Sequence, residues 1–388
     1  MNENSATFSL RESASFRQAW WFFTVSLLLS LVTTASAEDL ALQAEKRLLD
    51  GFTAIQTGQF EQASADVARL AKDMPEYQLA QLMKAELLAI RAGQSGWVAQ
   101  NRQHNRDKTA WLMSEARVRW QQQSQTNPVQ PLAAWDTLLS QYVLKTSQEP
   151  FLVIVDADAH RLHLYRKQEN GYEEVVNYYV TLGEKGTRKQ VRGDLKTPIG
   201  VYKIEKELPD SALPELYGVG ALTLDYPNIW DRQQGRTGSG IWLHGTPRDT
   251  YSRAPLASRG CVVLNNPAME ALVFKYRLLP STPVIIAENT SPKGFIERED
   301  SDKQQVLSKI NRWLREETPH QVDWADVSVY AYPGEEGLYY VSFPIDDGRQ
   351  VVEQYWQRSD SQRWQLVLEN QYKSRNAPKV SQNLALSQ

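Results

Sequence analysis

FLVIVDADAHRLHLYRK, residues 151–167, is the stretch on which the reading of the fold turns. Its apolar residues run together or alternate and are rich in β-branched types, the signature of buried strands rather than of a helix face. QENG (168–171) follows as a turn, and YEEVVNYYVTLG (172–183) as a second β-rich run, so a hairpin is expected. Further short strands are read at TPIGVYKIEKEL (197–208), GALTLDYPN (220–228), SGIWLHGT (239–246), GCVVLN (260–265) and TPVIIAE (282–288), with one helical stretch at NPAMEALVFKYRLL (266–279). Many short strands and turn residues with one helix predict a mainly β domain over residues 149–288.

Upstream the period is helical. From Glu38 to about Gln123 apolar residues recur every three or four positions, broken by Gly58, Pro75 and Gly93. Gly58, Phe60, Ala63, Leu70 and Pro75 resemble the middle of one tetratricopeptide repeat. Residues 38–148 therefore read as a helical module, with a short helix around Trp135 to Leu144 leading into the β domain. The first 37 residues read as a signal peptide: Arg11 and Arg17 precede the apolar run AWWFFTVSLLLSLV (19–32), and Ala35-Ser36-Ala37 offers small residues for cleavage. Those fourteen residues fall short of the about 20 a spanning helix needs. Export to the periplasm is expected, with a short uncleaved anchor as the alternative.

Downstream, residues 289–301, which include NTSPKG (289–294), read as a linker. DKQQVLSKINRWLREE (302–317) is an amphipathic helix, and alternating aromatic strands follow, separated by turns at Pro333-Gly334 and Asp347-Gly348. Residues 302–372 thus predict an α+β cone, and residues 373–388 a polar tail. The organisation expected is multidomain: an α-helical N-terminal module, a mainly β middle domain, and an α+β cone-like C-terminal domain.

A formal net charge of −3 on 388 residues gives no reason to expect nucleic acid as a partner. One cysteine, Cys261, is present; in an exported chain an unpaired cysteine is either an intermolecular link or a reactive thiol, the alternative being a buried residue packed as a small hydrophobe. A thiol must lose its proton to attack a carbonyl, and an imidazole takes it. His244 ends the apolar run GIWLH, and Cys261 begins CVVL, so neighbouring strands bring the two within reach. Gly260 lets the backbone approach closely, and the amides at Gly260 and Cys261 are candidate oxyanion donors. Arg259 adds a positive charge for a thiolate or a substrate carboxylate.

HGT (244–246) followed by SRGC (258–261), together with RKQVRGDLKTPIGVYKI (188–204) and LDYPNIWDRQQGRTGSGIWLHG (224–245), resembles the YkuD-type L,D-transpeptidase catalytic domain. The resemblance spans about Phe151 to Glu288. It implies a YkuD-like, β-sandwich-like catalytic domain with peptidoglycan stem peptides as substrate, Cys261 as nucleophile, His244 as proton acceptor and donor, and the Gly245 carbonyl as the group orienting the imidazole. It leaves Gly260 at the site and Ser258, Arg259, Thr246 and Tyr226 as substrate contacts. Two positions depart from the family pattern: Arg259 replaces its histidine, and Val263 its arginine two places after the cysteine. Both departures point to the exported subgroup of YafK and the cell-shape L,D-carboxypeptidases. The segment 302–369 is similar to those enzymes' C-terminal domain of the nuclear-transport-factor-two type. The implied activity is removal of terminal D-Ala from tetrapeptides through an acyl-enzyme. Cross-linking, or attachment and release of proteins at diaminopimelate, is the alternative, and a non-catalytic wall-binding scaffold is the third reading. The helical module is a candidate site for a protein partner. No metal or cofactor is expected.

Other residues have plainer readings. His160 and His163 lie along a hairpin edge without a completing ligand set and read as solvated or structural. GEKGTRKQVRGD (183–194) lacks the phosphate-loop arrangement and reads as a solvated loop on the substrate side. Asp225, Asp231 and Asp249 are assigned to turns. Trp324, Tyr330, Tyr332, Tyr339, Tyr340, Tyr355 and Trp356 form either a pocket lining or a core.

Overall fold

The computed structural model describes residues 36–94, 106–125, 133–169, 171–288, 296–359, 361 and 363–374. Almost all of the expected signal peptide and of the polar tail lies outside the described residues. Helix α1 (Ala37–Gln56) opens at Ser36, whose hydroxyl accepts from the Asp39 amide while Asp39 bonds back to the Ser36 amide. It packs on α2 (Phe60–Asp73) and α4 (Arg106–Gln125), and α3 (Gln78–Arg91) packs on both of those. The close contact of α1 with α2 is set at Gly51, where a Cβ would stand 2.8 Å from Val67 Cγ2. Leu48, Phe52, Ala63, Val67, Leu70 and Met83 fill the core between them.

Helix α5 (Ala133–Tyr142) continues directly into strand β1 (Val143–Lys145). The sequence reading extended the helix to Leu144 and kept this segment within the helical module. In the structure β1 pairs antiparallel with β12 (Ser328–Ala331), Val143 opposite Tyr330, so it forms an edge of the C-terminal sheet. Local pattern misses it because three residues carry no period.

The middle domain is one eight-stranded mixed sheet in the order β10-β8-β7-β6-β11-β2-β3-β4. Its strands are β2 (Phe151–Asp156), β3 (Arg161–Gln168), β4 (Gly171–Tyr179), β6 (Gly200–Pro209), β7 (Gly220–Leu224), β8 (Trp242–His244), β10 (Val262–Val263) and β11 (Pro283–Ala287). Two short strands, β5 (Leu182–Gly183) and β9 (Leu256–Ser258), pair separately. Thr181, just past β4 at one edge, exchanges backbone hydrogen bonds of 2.9 Å with Val263 in β10 at the other. The sheet therefore curls until its two edges meet, burying Val153, Leu164, Leu222, Leu243, Val262 and Ile286 inside. Helix α6 (Ile229–Gln233) follows β7. The predicted helix after β10 is α7 (Asn266–Glu270), continued by one π-turn (Ala271–Lys275).

Helix α8 runs Ile296–Glu316, so the second half of the expected linker is helical. It covers one face of a five-stranded antiparallel sheet, β1-β12-β13-β14-β15, with β13 (Leu338–Ile345), β14 (Gln350–Arg358) and β15 (Trp364–Lys373). Strand alternation sorts the aromatic rows. Tyr339 and Trp356 face α8, alongside Val306 and Ile310. Tyr330, Tyr332, Tyr340 and Tyr355 face the middle domain, where Trp230 stacks on Tyr355 at 5.5 Å. The rows are packing surfaces for two partners rather than a pocket lining.

Candidate active site

His244 ends β8, and Cys261 immediately precedes β10. The two strands run parallel, with Leu243 opposite Val262 and His244 opposite Val263. Leu243 and Val262 turn into the core, so by alternation Trp242, His244 and Cys261 share the opposite face. Tyr217 packs over that face, 4.9 Å from the Trp242 ring and edge-on to His244 at 5.0 Å.

His244 is buried, and its Nδ1 lies 2.7 Å from the Gly245 carbonyl. A carbonyl can only accept, so Nδ1 carries the hydrogen and Nε2 keeps its lone pair. Burial pushes the imidazole pKa down to about 4; the Gly245 carbonyl opposes this and the Arg253 charge adds to it. Gly245 has no room for a side chain, because a Cβ would stand 2.2 Å from Asn266 Oδ1. That oxygen accepts from the amides of Thr246 at 3.1 Å and Val219 at 3.3 Å, fixing the turn that carries the carbonyl.

The Cys261 thiol is partly exposed and donates to the Gly240 carbonyl at 3.3 Å. The protein packed around the sulfur pushes its pKa up to about 11, against the pull of the Trp242 amide and of the Lys189 and Arg253 charges. Thiol and imidazole are thus both uncharged at neutral pH. The hydroxyl of Ser258 donates to the Cys261 carbonyl at 2.7 Å and accepts from the Gly260 amide at 3.0 Å.

The remaining expected site residues sort by geometry. The Gly260 amide is engaged by Ser258, which removes it as an oxyanion donor. Its part is conformational: φ is +121°, and a Cβ would meet the Lys196 carbonyl at 2.6 Å. Both hydrogen bonds of the Ser258 hydroxyl are internal to the turn, which it holds beneath the cysteine. Thr246 is buried, its hydroxyl 3.5 Å from the Tyr251 carbonyl. Tyr226 is buried too, its hydroxyl donating to Thr237 at 3.1 Å. Arg259 is exposed.

Residues 183–194, read as a solvated loop, are cross-linked. Lys189 is buried and paired with Asp194 at 2.5 Å, and Asp194 also accepts from the amides of Gln190 and Val191. His163 is buried against Glu174, with Nδ1 3.2 Å from the carboxylate, and His160 is buried as well, so both are structural. Asp225, half-buried, and Asp231, buried, are ion-pair members rather than turn residues, bound to Lys203 and Arg236 respectively.

Sequence reasoning did not single out Arg253, Lys189, Gly240, Tyr217 or Asn266. No local signal separates Arg253 from Arg248 in the same loop or from Arg259 just past β9; only the fold does. Asn266 follows Asn265, whose side chain caps α7 by accepting from Ala268 at 2.8 Å, and nothing in the letters tells the two asparagines apart.

Similarity to known proteins is found over the middle domain and, more distantly, over a longer stretch of the chain. Residues 150–286 match the family model of the YkuD L,D-transpeptidase catalytic domain. The Escherichia coli (strain K12) protein YafK is 23% identical over 133 residues, 34% of this chain and 49% of that protein. The chain spans about half the length of the curated relatives it matches. Among solved structures, the helical cell shape determining protein Pgp2 of Campylobacter jejuni is 19% identical, with TM-score 0.45 over 61% of this chain and 98% of that one. Bd1075 of Bdellovibrio bacteriovorus is 22% identical, with TM-score 0.45 over 60% and 98%. Over residues 150–286 the chain is thus similar to the L,D-transpeptidase catalytic domain of the YkuD family.

Proposed function

We propose that the protein is a periplasmic cysteine L,D-carboxypeptidase that removes terminal D-Ala from peptidoglycan tetrapeptides. The observation that carries this reading is the pairing of β8 with β10. It sets an imidazole with a free Nε2 and a thiol on one face of the sheet. In the reaction Sγ of Cys261 attacks the carbonyl between diaminopimelate and D-Ala, and Nε2 of His244 takes the thiol proton. The C–N bond breaks, His244 returns the proton to the departing amine, and a thioester remains. Water then attacks the thioester, its proton passes through His244, and the tripeptide leaves with the thiol restored. Hydrolysis is favoured over cross-linking by the departures at Arg259 and Val263, in which the chain resembles the carboxypeptidase subgroup. Gly245 orients the imidazole, and Gly260 and Ser258 shape the turn under the sulfur. No helix among the described residues is long and apolar enough to cross a membrane. The periplasmic assignment rests on the N-terminal sequence pattern and on the substrate class.

Incubation of purified protein with disaccharide tetrapeptide, followed by chromatography of the products, tests the proposal. Disaccharide tripeptide and free D-Ala are expected, with loss of at least about a thousandfold in Cys261→Ala, the scale seen when a catalytic nucleophile is removed. Cross-linked dimers in place of tripeptide would assign transpeptidation. The absence of any product from the wild type would leave the scaffold reading.

A further inference from the structure

The loop between β8 and β9 is held from two sides. Tyr251 inserts its ring into the helical core, 4.4 Å from Tyr77, and its amide donates to the Glu76 carbonyl at 3.3 Å. The Ser252 hydroxyl donates to Glu115 on α4 at 2.7 Å. Glu115 in turn belongs to a buried charge network with Arg119, Glu45 and Arg161, which is balanced in sign. From the other side, the Arg253 carbonyl accepts from the hydroxyls of Tyr179 at 3.0 Å and Thr181 at 3.2 Å. Thr181 is the residue paired with Val263, two positions from Cys261. Arg119 stacks on the Tyr179 ring at 3.9 Å, so both sides of the clamp meet at that tyrosine.

The backbone of Arg253 is thereby fixed next to the strand of the nucleophile. Its guanidinium, however, has no ion pair or hydrogen bond among the described residues. The Arg253 charge acts on both Cys261 and His244. Lys189, the other cation acting on the sulfur, is already neutralised by Asp194. Arg259, nearer in sequence, is exposed. A half-buried arginine with an unmatched fork of donors suits a carboxylate. A terminal residue's carboxylate is separated from the attacked carbonyl by only an amide nitrogen and one α-carbon, which suits a cation beside the nucleophile.

We propose that Arg253 binds the free carboxylate of the substrate's terminal residue next to Cys261, and that the helical module is the element that positions it. The identity of that carboxylate rests on the carboxypeptidase reading above. The carboxylate preference itself does not.

Because Cys261 is the single cysteine, its alkylation reads the site directly. Iodoacetate and iodoacetamide attack the same thiolate, but only iodoacetate brings a carboxylate, so the ratio of their rates cancels changes in thiol pKa. Mass spectrometry of the full-length protein at pH 7.5 should show that ratio falling about tenfold in Arg253→Gln, the loss of one charge-assisted contact, and recovering in Arg253→Lys. A ratio left unchanged by Arg253→Gln, or one that Arg253→Lys fails to raise above Arg253→Gln, overturns the proposal. Intact charge selectivity in a wild type that does not cleave tetrapeptide would overturn the carboxypeptidase reading and leave Arg253 as a carboxylate site.

Discussion

At the scale of single residues, the resting site is an uncharged pair. Burial lowers His244 to about 4 and raises Cys261 to about 11, so between those values the dominant state is thiol plus neutral imidazole. The thiol proton is engaged by the Gly240 carbonyl. It must leave that acceptor before Nε2 can receive it, so proton transfer accompanies attack instead of preceding it. Alkylation of Cys261 by iodoacetamide tracks the thiolate fraction, which grows as pH rises toward the raised pKa. The rate is therefore expected to climb about tenfold per pH unit from neutral upward, without levelling below about 10, given a thiol near 11. A plateau between pH 7 and 8 in stopped alkylation assays would reveal a preformed thiolate–imidazolium pair and contradict this.

Among elements, the loop after β8 is the joint between the helical module and the catalytic sheet. Tyr251 is a loop residue by sequence, yet it is buried in the helical core beside Tyr77. Its truncation in Tyr251→Ala removes a ring from a packed site and is expected to cost about 3–5 kcal/mol, the range for large aromatic deletions. Chemical denaturation measures the loss. The same variant frees the segment preceding Arg253, so the iodoacetate to iodoacetamide ratio should fall as well. A destabilised protein with an unaltered ratio would show that the clamp at Tyr179 and Thr181 suffices to place Arg253.

For the whole molecule, the C-terminal sheet is bound to the catalytic sheet by more than aromatic packing. Lys203 on β6 bonds Glu353 on β14, stands 3.4 Å from Asp225, and lies over the Tyr372 ring at 3.9 Å. Tyr340 donates to the same Glu353 oxygen at 2.8 Å. Burial pushes Asp225 up to about 6; Lys203 opposes that shift and Glu353 adds to it. Replacing the cation in Lys203→Met leaves two carboxylates facing each other, at an expected cost of about 3–5 kcal/mol. Protonation of Asp225 relieves their repulsion, so the loss should be smaller at pH 5 than at pH 8 in urea unfolding. Equal losses at the two pH values would exclude this account of the interface.

Much of this protein is written locally. The change from helical to strand period at Phe151, the turns around each strand, the lone cysteine and the His-Gly and Gly-Cys pairs are all properties of neighbouring residues. They suffice for the succession of helical module, mainly β domain and α+β domain, and for Cys261 and His244 as candidates. Only tertiary structure could decide the rest, because it depends on register and docking between distant segments. Ser252 meets Glu115 across 137 positions, and Lys203 meets Glu353 across 150. Strand β1, which precedes the middle domain in the chain, pairs with β12, which follows it. The Gly260 amide is directed to Ser258 by a backbone turn that no composition foretells. Among the arginines around β9, one has its backbone held next to the strand of the nucleophile and another is left exposed. That choice is made by which backbone carbonyl the sheet and the helical module can reach, and it is not encoded in any single stretch of the chain.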